Sequence, residues 1–275
     1  MRFEEFKRLY TTACKLRDEF APQMGPWFRK DASQWPPVIG FGLPSDCRKV
    51  KLVTVALNPS NLEIEDGHIP KTNDVNIQWE KQRGYFKSGK KLYWFDRSEM
   101  VLKEACVGTY RASDLVHLDL SPQPTSDGFD GIYDKIYKED TSSAELETAR
   151  RFIRCSVEKI LLPTLETLAR DNDTLSIMIY GFIPKIPGQR LKGSHTMGDI
   201  LGQEKNLFQN VEVDSGSGNI TIAQGEFNPQ HRWIDGYTAL HDAHVVFLSQ
   251  GPSSRRASDD DLRFVGRRLR ELGWL

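Results

Sequence analysis

Apolar and polar positions alternate along the chain with two distinct periods. Phe3, Phe6, Tyr10, Ala13, Leu16 and Phe20 recur at roughly helical spacing, which predicts an amphipathic helix over residues 2–20. Val50 to Leu57 is β-branched and nearly all apolar, the pattern of a strand covered on both faces in a parallel sheet. Leu115 to Leu120, Leu175 to Tyr180 and Val245 to Leu248 resemble it. Between the second and third of these segments, Ser142-Ser143-Ala144-Glu145 is a capping-box signature. Leu146, Ala149, Ile153, Val157, Ile160 and Leu161 follow it at helical spacing, and Pro163 either ends that helix or opens another. Ser258 and the three aspartates after it cap a last helix carrying Leu262, Val265 and Leu269, with arginines on its other side. Val211 to Ile222 interrupts the series as a hairpin around Asp-Ser-Gly-Ser-Gly-Asn.

Strands alternating with helices predict an α/β fold, a three-layer α/β/α sandwich around a mainly parallel central sheet. A single domain over residues 1–275 is expected. Residues 1–45 form its N-terminal helix and a Pro/Gly/Trp-rich wrap, Pro22 to Pro44, and residues 46–275 form an α/β core with insertions. Lys+Arg 37 against Asp+Glu 38 excludes a globally basic nucleic-acid coat, so any DNA contact must come from a local patch. The N-terminus lacks the apolar block of a signal peptide, and no apolar run reaches the ~20 residues that span a bilayer. Cys14, Cys47, Cys106 and Cys155 stand singly, which argues against disulfides, zinc knuckles and iron–sulfur clusters. A cytoplasmic protein is the expectation, with no membrane association and no obligate protein partner.

In such sheets ligands gather at the carboxyl ends of the strands. The first core strand runs into Asn58-Pro59-Ser60-Asn61, and the last into Ser249-Gln250-Gly251-Pro252-Ser253-Ser254-Arg255-Arg256. Their order and spacing resemble the uracil-DNA glycosylase superfamily, in the branches with a Gly-x-Asn-Pro first motif. The likeness covers the core strands from about residue 50 to 275 and leaves the first ~45 residues, residues 61–92 and the hairpin unexplained. Ala56 stands where the family has Gly, Asp114 where Asn is usual, and neither His nor Asn precedes Pro252.

The resemblance implies a DNA glycosylase that flips a base out of the duplex, cleaves its N-glycosidic bond and leaves an abasic site, with no metal or other cofactor. Asn58 then orients the attacking water, and Gln250 or a main-chain N–H at Gly251 bonds the carbonyl oxygen of the leaving base. Asp114 takes the base-reading position, with Phe86 or Tyr93 stacking on the base. Ser60, Ser253, Ser254, Arg255 and Arg256 engage the DNA backbone. Lys90 and Lys91, in a basic stretch from Lys81 to Arg97 interleaved with aromatics, join that surface, while Trp94 and Phe95 read as core anchors.

Asp114 also bears on the substrate. An ionised carboxylate is acceptor-only and repels O4 of uracil, but it accepts well from the N4 amino group of cytosine. Plain cytosine is no target for a viable host, so a 5-substituted cytosine is expected, such as the hypermodified bases of some phage DNA, with an antiviral role. Pairing of Asp114 with a neighbour such as Arg111 is the plainer account. Other readings are a uracil or mismatch repair glycosylase and a non-catalytic module that binds modified DNA. His231, Asp235, His241, Asp242 and His244 lack a metal-ligand spacing. Glu63, Glu65, Asp66 and His68 could hold a catalytic carboxylate, as some superfamily members do nearby, but read more simply as a solvated acidic loop.

Overall fold

The structure is a computed structural model and describes residues 1–23, 35–44, 49–88, 92–112, 114–125, 143–172, 174–184 and 195–275. The periodic N-terminal segment folds as helix α1, Phe3–Phe20, burying Phe6, Leu9, Tyr10, Ala13, Leu16 and Phe20. Glu5 reaches back to the Arg2 N–H at 2.7 Å, satisfying one of the donors a helix start leaves open.

The apolar runs form the centre of a six-stranded sheet, β1 Leu52–Ala56, β2 Leu115–Asp119, β3 Ser176–Tyr180 and β6 His244–Leu248. Their order is β2-β1-β3-β6, all parallel, and β5 (Ile222–Phe227) and β4 (Phe208–Asp214) continue it antiparallel to the edge. The hairpin therefore exists but is displaced: its second arm begins at Ile222 rather than ending there. Register against β6 explains the shift, because Ile222 pairs with Leu248 and Ala223 with Phe247, which buries both hairpin residues. Gly216 makes the turn possible, since at φ +58° a Cβ there would fall 2.0 Å from the Ile220 carbonyl oxygen. The outer edge of β2 is covered by residues 37–41, where Phe41 and His117 exchange backbone hydrogen bonds of 2.8 and 3.0 Å.

Helices lie on both faces. On one, α5 (Ser143–Ser156) runs through a π-wound turn, Val157–Leu161, into α6 (Leu162–Ala169), and the short α7 (His195–Ile200) packs against α5. Pro163 thus continues the rod, because it sits in the first turn of α6, where its missing N–H costs little and the widened turn precedes it. Val157, Leu161 and Leu165 face Val55 and Ile179 around an apolar void of about 20 Å³. On the other face lie α4, Tyr93–Glu104, and the last helix α8, Asp259–Leu272. Ser258 and Asp261 form the capping box of α8, as its sequence predicts. Gly266 lets α8 approach α4 so closely that a Cβ there would lie 2.4 Å from the Val101 carbonyl oxygen. No helix among the described residues is long and apolar enough to cross a membrane.

Candidate functional site

Chain order puts β2 on one side of β1 and β3 on the other, so the chain leaves β1 and β3 in opposite directions at their carboxyl ends, where sheets of this kind bind ligands. Asn58 lies there, two residues past β1. Its Nδ2 donates to Thr125 Oγ1 at 2.8 Å and to the Pro59 carbonyl at 2.9 Å. Thr125 N donates to Pro59 O and Asn61 N to Thr125 O, both at 3.3 Å, so the loops after β1 and β2 are zipped together. The short helix α2, Leu62–Glu65, starts from this zipped segment.

Asp114 does not join Asn58. It precedes β2 at the amino end of the sheet, where its carboxylate pairs with Lys51 Nζ at 3.1 Å. In a parallel pair with Leu52 opposite Leu115, the two residues stand at opposite ends of the strands. The plainer account, an ion pair with a basic neighbour, is the one observed, with lysine as the partner. The acid at the carboxyl end of β2 is Asp119, opposite Ala56. Its side chain is 3% exposed, and among the described residues Oδ1 accepts no hydrogen bond although it lies 3.5 Å from His117 Nε2.

His117 is held from behind by hydroxyls. Thr54 Oγ1 lies 2.8 Å from His117 Nδ1 and 2.8 Å from Tyr110 Oη. Ser98 Oγ then joins Tyr110 Oη at 2.9 Å to Tyr180 Oη at 2.7 Å. Burial, the largest influence on each, raises Tyr110 and Tyr180 above the ordinary phenol range, so both stay protonated. A hydroxyl chain can run either way. The carboxylate at Nε2 favours the direction in which Thr54 donates to Nδ1 and the ring proton on Nε2 faces Asp119.

The acidic segment after the first motif is not a solvated loop at Glu63, whose side chain is 2% exposed. Its Oε2 accepts from Tyr85 Oη at 2.6 Å and lies 3.3 Å from His68 Nδ1. Burial pushes its carboxyl up to about 8, helped by the charges of Asp119 and Asp66 and opposed by the Tyr85 hydrogen bond. Glu65 and Asp66 are exposed, as a solvated loop requires.

The aromatic assignments change as well. Phe86 packs its ring against Tyr85, Phe95 and Tyr110 in the core, stacking on Tyr110 at 4.7 Å, so its ring is already taken by aromatic neighbours and does not serve to stack a base. Tyr93 is 66% exposed at the start of α4. Trp94, expected as a core anchor, is only half-buried and lies 4.5 Å from the His117 ring and 5.4 Å from the Tyr180 ring, on the face of the sheet that carries both. Phe95 is a core residue.

At the end of β6, Ser254 Oγ donates to Gln250 Oε1 at 2.7 Å, so the Gln250 carbonyl is occupied within its own loop. Ser253, Arg255 and Arg256 are exposed there. Ser60 is half-buried, and its Oγ accepts from Leu62 N at 3.2 Å. Arg97 does not face outward with the other basic residues: it pairs with Asp259 at 3.2 Å and donates to the Ala257 carbonyl, fastening the β6 loop to α4. Lys90 and Lys91 lie outside the described residues. Among the described residues no group of three His, Cys, Asp or Glu side chains could hold a metal. His231 instead lies 3.7 Å from Glu204, and His244 bonds Gln224 at 3.0 Å.

Comparison of the chain with protein-family models, curated proteins and solved structures found no match.

Proposed function

We propose that the protein is a DNA glycosylase that flips out a 5-substituted cytosine, hydrolyses its N-glycosidic bond and leaves an abasic site. One observation carries the reading: adjacent parallel strands bring Asn58 and Asp119 to the same end of the sheet, and Asp119 Oδ1 is buried without a hydrogen-bond donor among the described residues. An acceptor left open in this way costs free energy in the free protein, and a bound amino group would recover it. The N4 amino group of cytosine is such a donor. Base reading therefore passes from Asp114 to Asp119.

In this reading Trp94 supplies the stacking face, since it is only half-buried and lies beside His117 and Tyr180. Asn58 places the water through its amide, with Thr125 fixing the side chain. A neutral amide is a poor base, so its contribution is positional. Arg255 and Arg256 stand exposed at the same end of the sheet, where the phosphates of a flipped nucleotide would pass. Discrimination against plain cytosine needs a group at the 5-position, and removal of hypermodified phage bases is the role that fits such a substrate.

The test is incubation with duplexes carrying cytosine, uracil, hydroxymethylcytosine or glucosylated hydroxymethylcytosine, scored for released base by mass and for alkali-labile abasic sites. Release from the 5-substituted cytosines is expected. Binding without release would identify a modified-DNA reader, and release of uracil alone would make this a repair glycosylase.

A further inference from the structure

We propose that His117 is a specificity-determining positioning residue, whose Nε2 proton holds the Asp119 carboxylate in one orientation as the acceptor for the amino group of cytosine. This rests on the glycosylase reading and adds a residue that acts through Asp119 without touching the base. The imidazole is fixed from several elements. Its main chain pairs with Phe41, in the segment that covers the edge of β2. That segment is tied down from the helix α3 (Val75–Arg83), where Gln82 Oε1 accepts from Ile39 N at 2.8 Å and Gln82 Nε2 donates to the Pro37 carbonyl at 3.1 Å. Phe41, Trp94 and Phe95 then pack against the ring, with centres 5.9, 4.5 and 5.2 Å away. A ring so enclosed keeps both nitrogens in place, Nδ1 on Thr54 and Nε2 toward Asp119.

The hydroxyls decide which nitrogen carries the proton. If Thr54 donates to Nδ1, then Tyr110 donates to Thr54, Ser98 to Tyr110 and Tyr180 to Ser98, and every hydroxyl proton in the chain has an acceptor. In the reverse order the Tyr180 proton ends the chain with no acceptor among the described residues, and a bare Nε2 lone pair faces the Asp119 carboxylate. Burial makes both faults costly. The Val116 carbonyl competes for the Thr54 proton only at 3.4 Å, against 2.8 Å to Nδ1. The ring proton therefore sits on Nε2, pointed at Oδ1 from 3.5 Å. Contacts of this kind are often long in a free protein and tighten around the ligand. With one lone pair of the carboxylate steered by His117, the others are presented in a fixed direction, which an amino group can meet and an oxo group cannot.

Two measurements test this. Nitrogen-resolved NMR of the histidine rings in the intact protein reads the tautomer, with His117 identified by its contacts to the Trp94 and Phe95 rings. A proton on Nε2 and none on Nδ1 is expected. A proton on Nδ1 would overturn the proposal, and this readout needs no variant to fold. Single-turnover release from a duplex carrying hydroxymethylcytosine, or its glucosylated form, reads the role. His117→Phe fills the same aromatic slot without a donor and should slow release about 10-fold, as for loss of one hydrogen bond. His117→Gln, whose amide nitrogen reaches the place of Nε2, should recover most of that loss. In an Asp119→Asn background His117→Phe should cost little more, because the two residues act as a unit. Losses that multiply in the double variant, or equal defects in His117→Phe and His117→Gln, would overturn the role of His117 while leaving the glycosylase standing. No release by wild type from any duplex would overturn the reading beneath it.

Discussion

Asp119 Oδ1 lies 3.5 Å from His117 Nε2, two residues away on the same face of β2, and the hydroxyl chain behind the ring aims a proton at it. The distance is too long for a formed hydrogen bond. The carboxylate is therefore oriented without being satisfied, as a group waiting for a ligand donor would be.

Asp119→Asn tests that role. An amide offers a donor as well as an acceptor, which suits N3–H and O4 of uracil. Release of modified cytosine should fall about 10²-fold while release of uracil rises, the size of a lost charge-assisted hydrogen bond. Paired substrates in one reaction give the ratio directly. An unchanged ratio with lower stability would make Asp119 a partner of His117 alone.

Asn58→Ala should lower the release rate by two to three orders of magnitude, roughly the effect of losing one preorganised polar contact. It also cuts the tie to Thr125, at about 1 kcal/mol of stability. Thr125→Val separates the two effects, since it removes the tie and leaves the amide. Its rate should stand between wild type and Asn58→Ala in single-turnover assays.

Gly266→Ala should destabilise the protein by ~2 kcal/mol in urea titrations. Alanine is the better helix former by about 1 kcal/mol. Here its methyl would fall 2.4 Å from the Val101 carbonyl oxygen and 2.7 Å from Glu104 Cβ, so α4 and α8 must separate. A stabilised mutant would show that the two helices do not pack this closely.

Most of this architecture was legible in the chain, and the errors have physical causes. Four apolar runs became the parallel strands, because strands buried on both faces leave little else for their sequence to say. Of the proposed site only Asn58 was legible, where a polar residue ends an apolar run. Asp119 carries the same signal, an acid closing Leu115-Val116-His117-Leu118, whereas Asp114 opens that run at the amino end of the sheet. Strand direction separates them, since ligands of parallel sheets gather at the carboxyl end. Glu63 could not be separated from Glu65 by pattern, because its burial comes from Tyr85 and His68, packed over it from elsewhere.

Replacing Arg255 and Arg256 together by Ala should weaken DNA binding and reduce the slope of log K against log salt by about two units. Neither arginine is paired with a described residue, so the fold should not depend on them. Fluorescence anisotropy at several salt concentrations measures the slope, and no change would place the DNA elsewhere.

Glu63 should write itself into the pH dependence of folding. Its carboxyl titrates near 4.5 in the unfolded chain and at about 8 in the folded protein. Between those values the native state holds a proton that the unfolded chain has released, so stability falls as pH rises through the window and levels off above it. A displacement of that size is worth about 5 kcal/mol in full, as an upper limit for a group this buried, of which about 4 kcal/mol falls between pH 5 and pH 8.5. Glu63→Gln is neutral at every pH and should lack the loss. In urea titrations wild type should therefore lose ground to the mutant between pH 5 and pH 8.5, by up to roughly that amount. The same stability difference at both pH values would mean that Glu63 is ionised throughout, and that the segment after β1 holds a buried carboxylate rather than a buried acid.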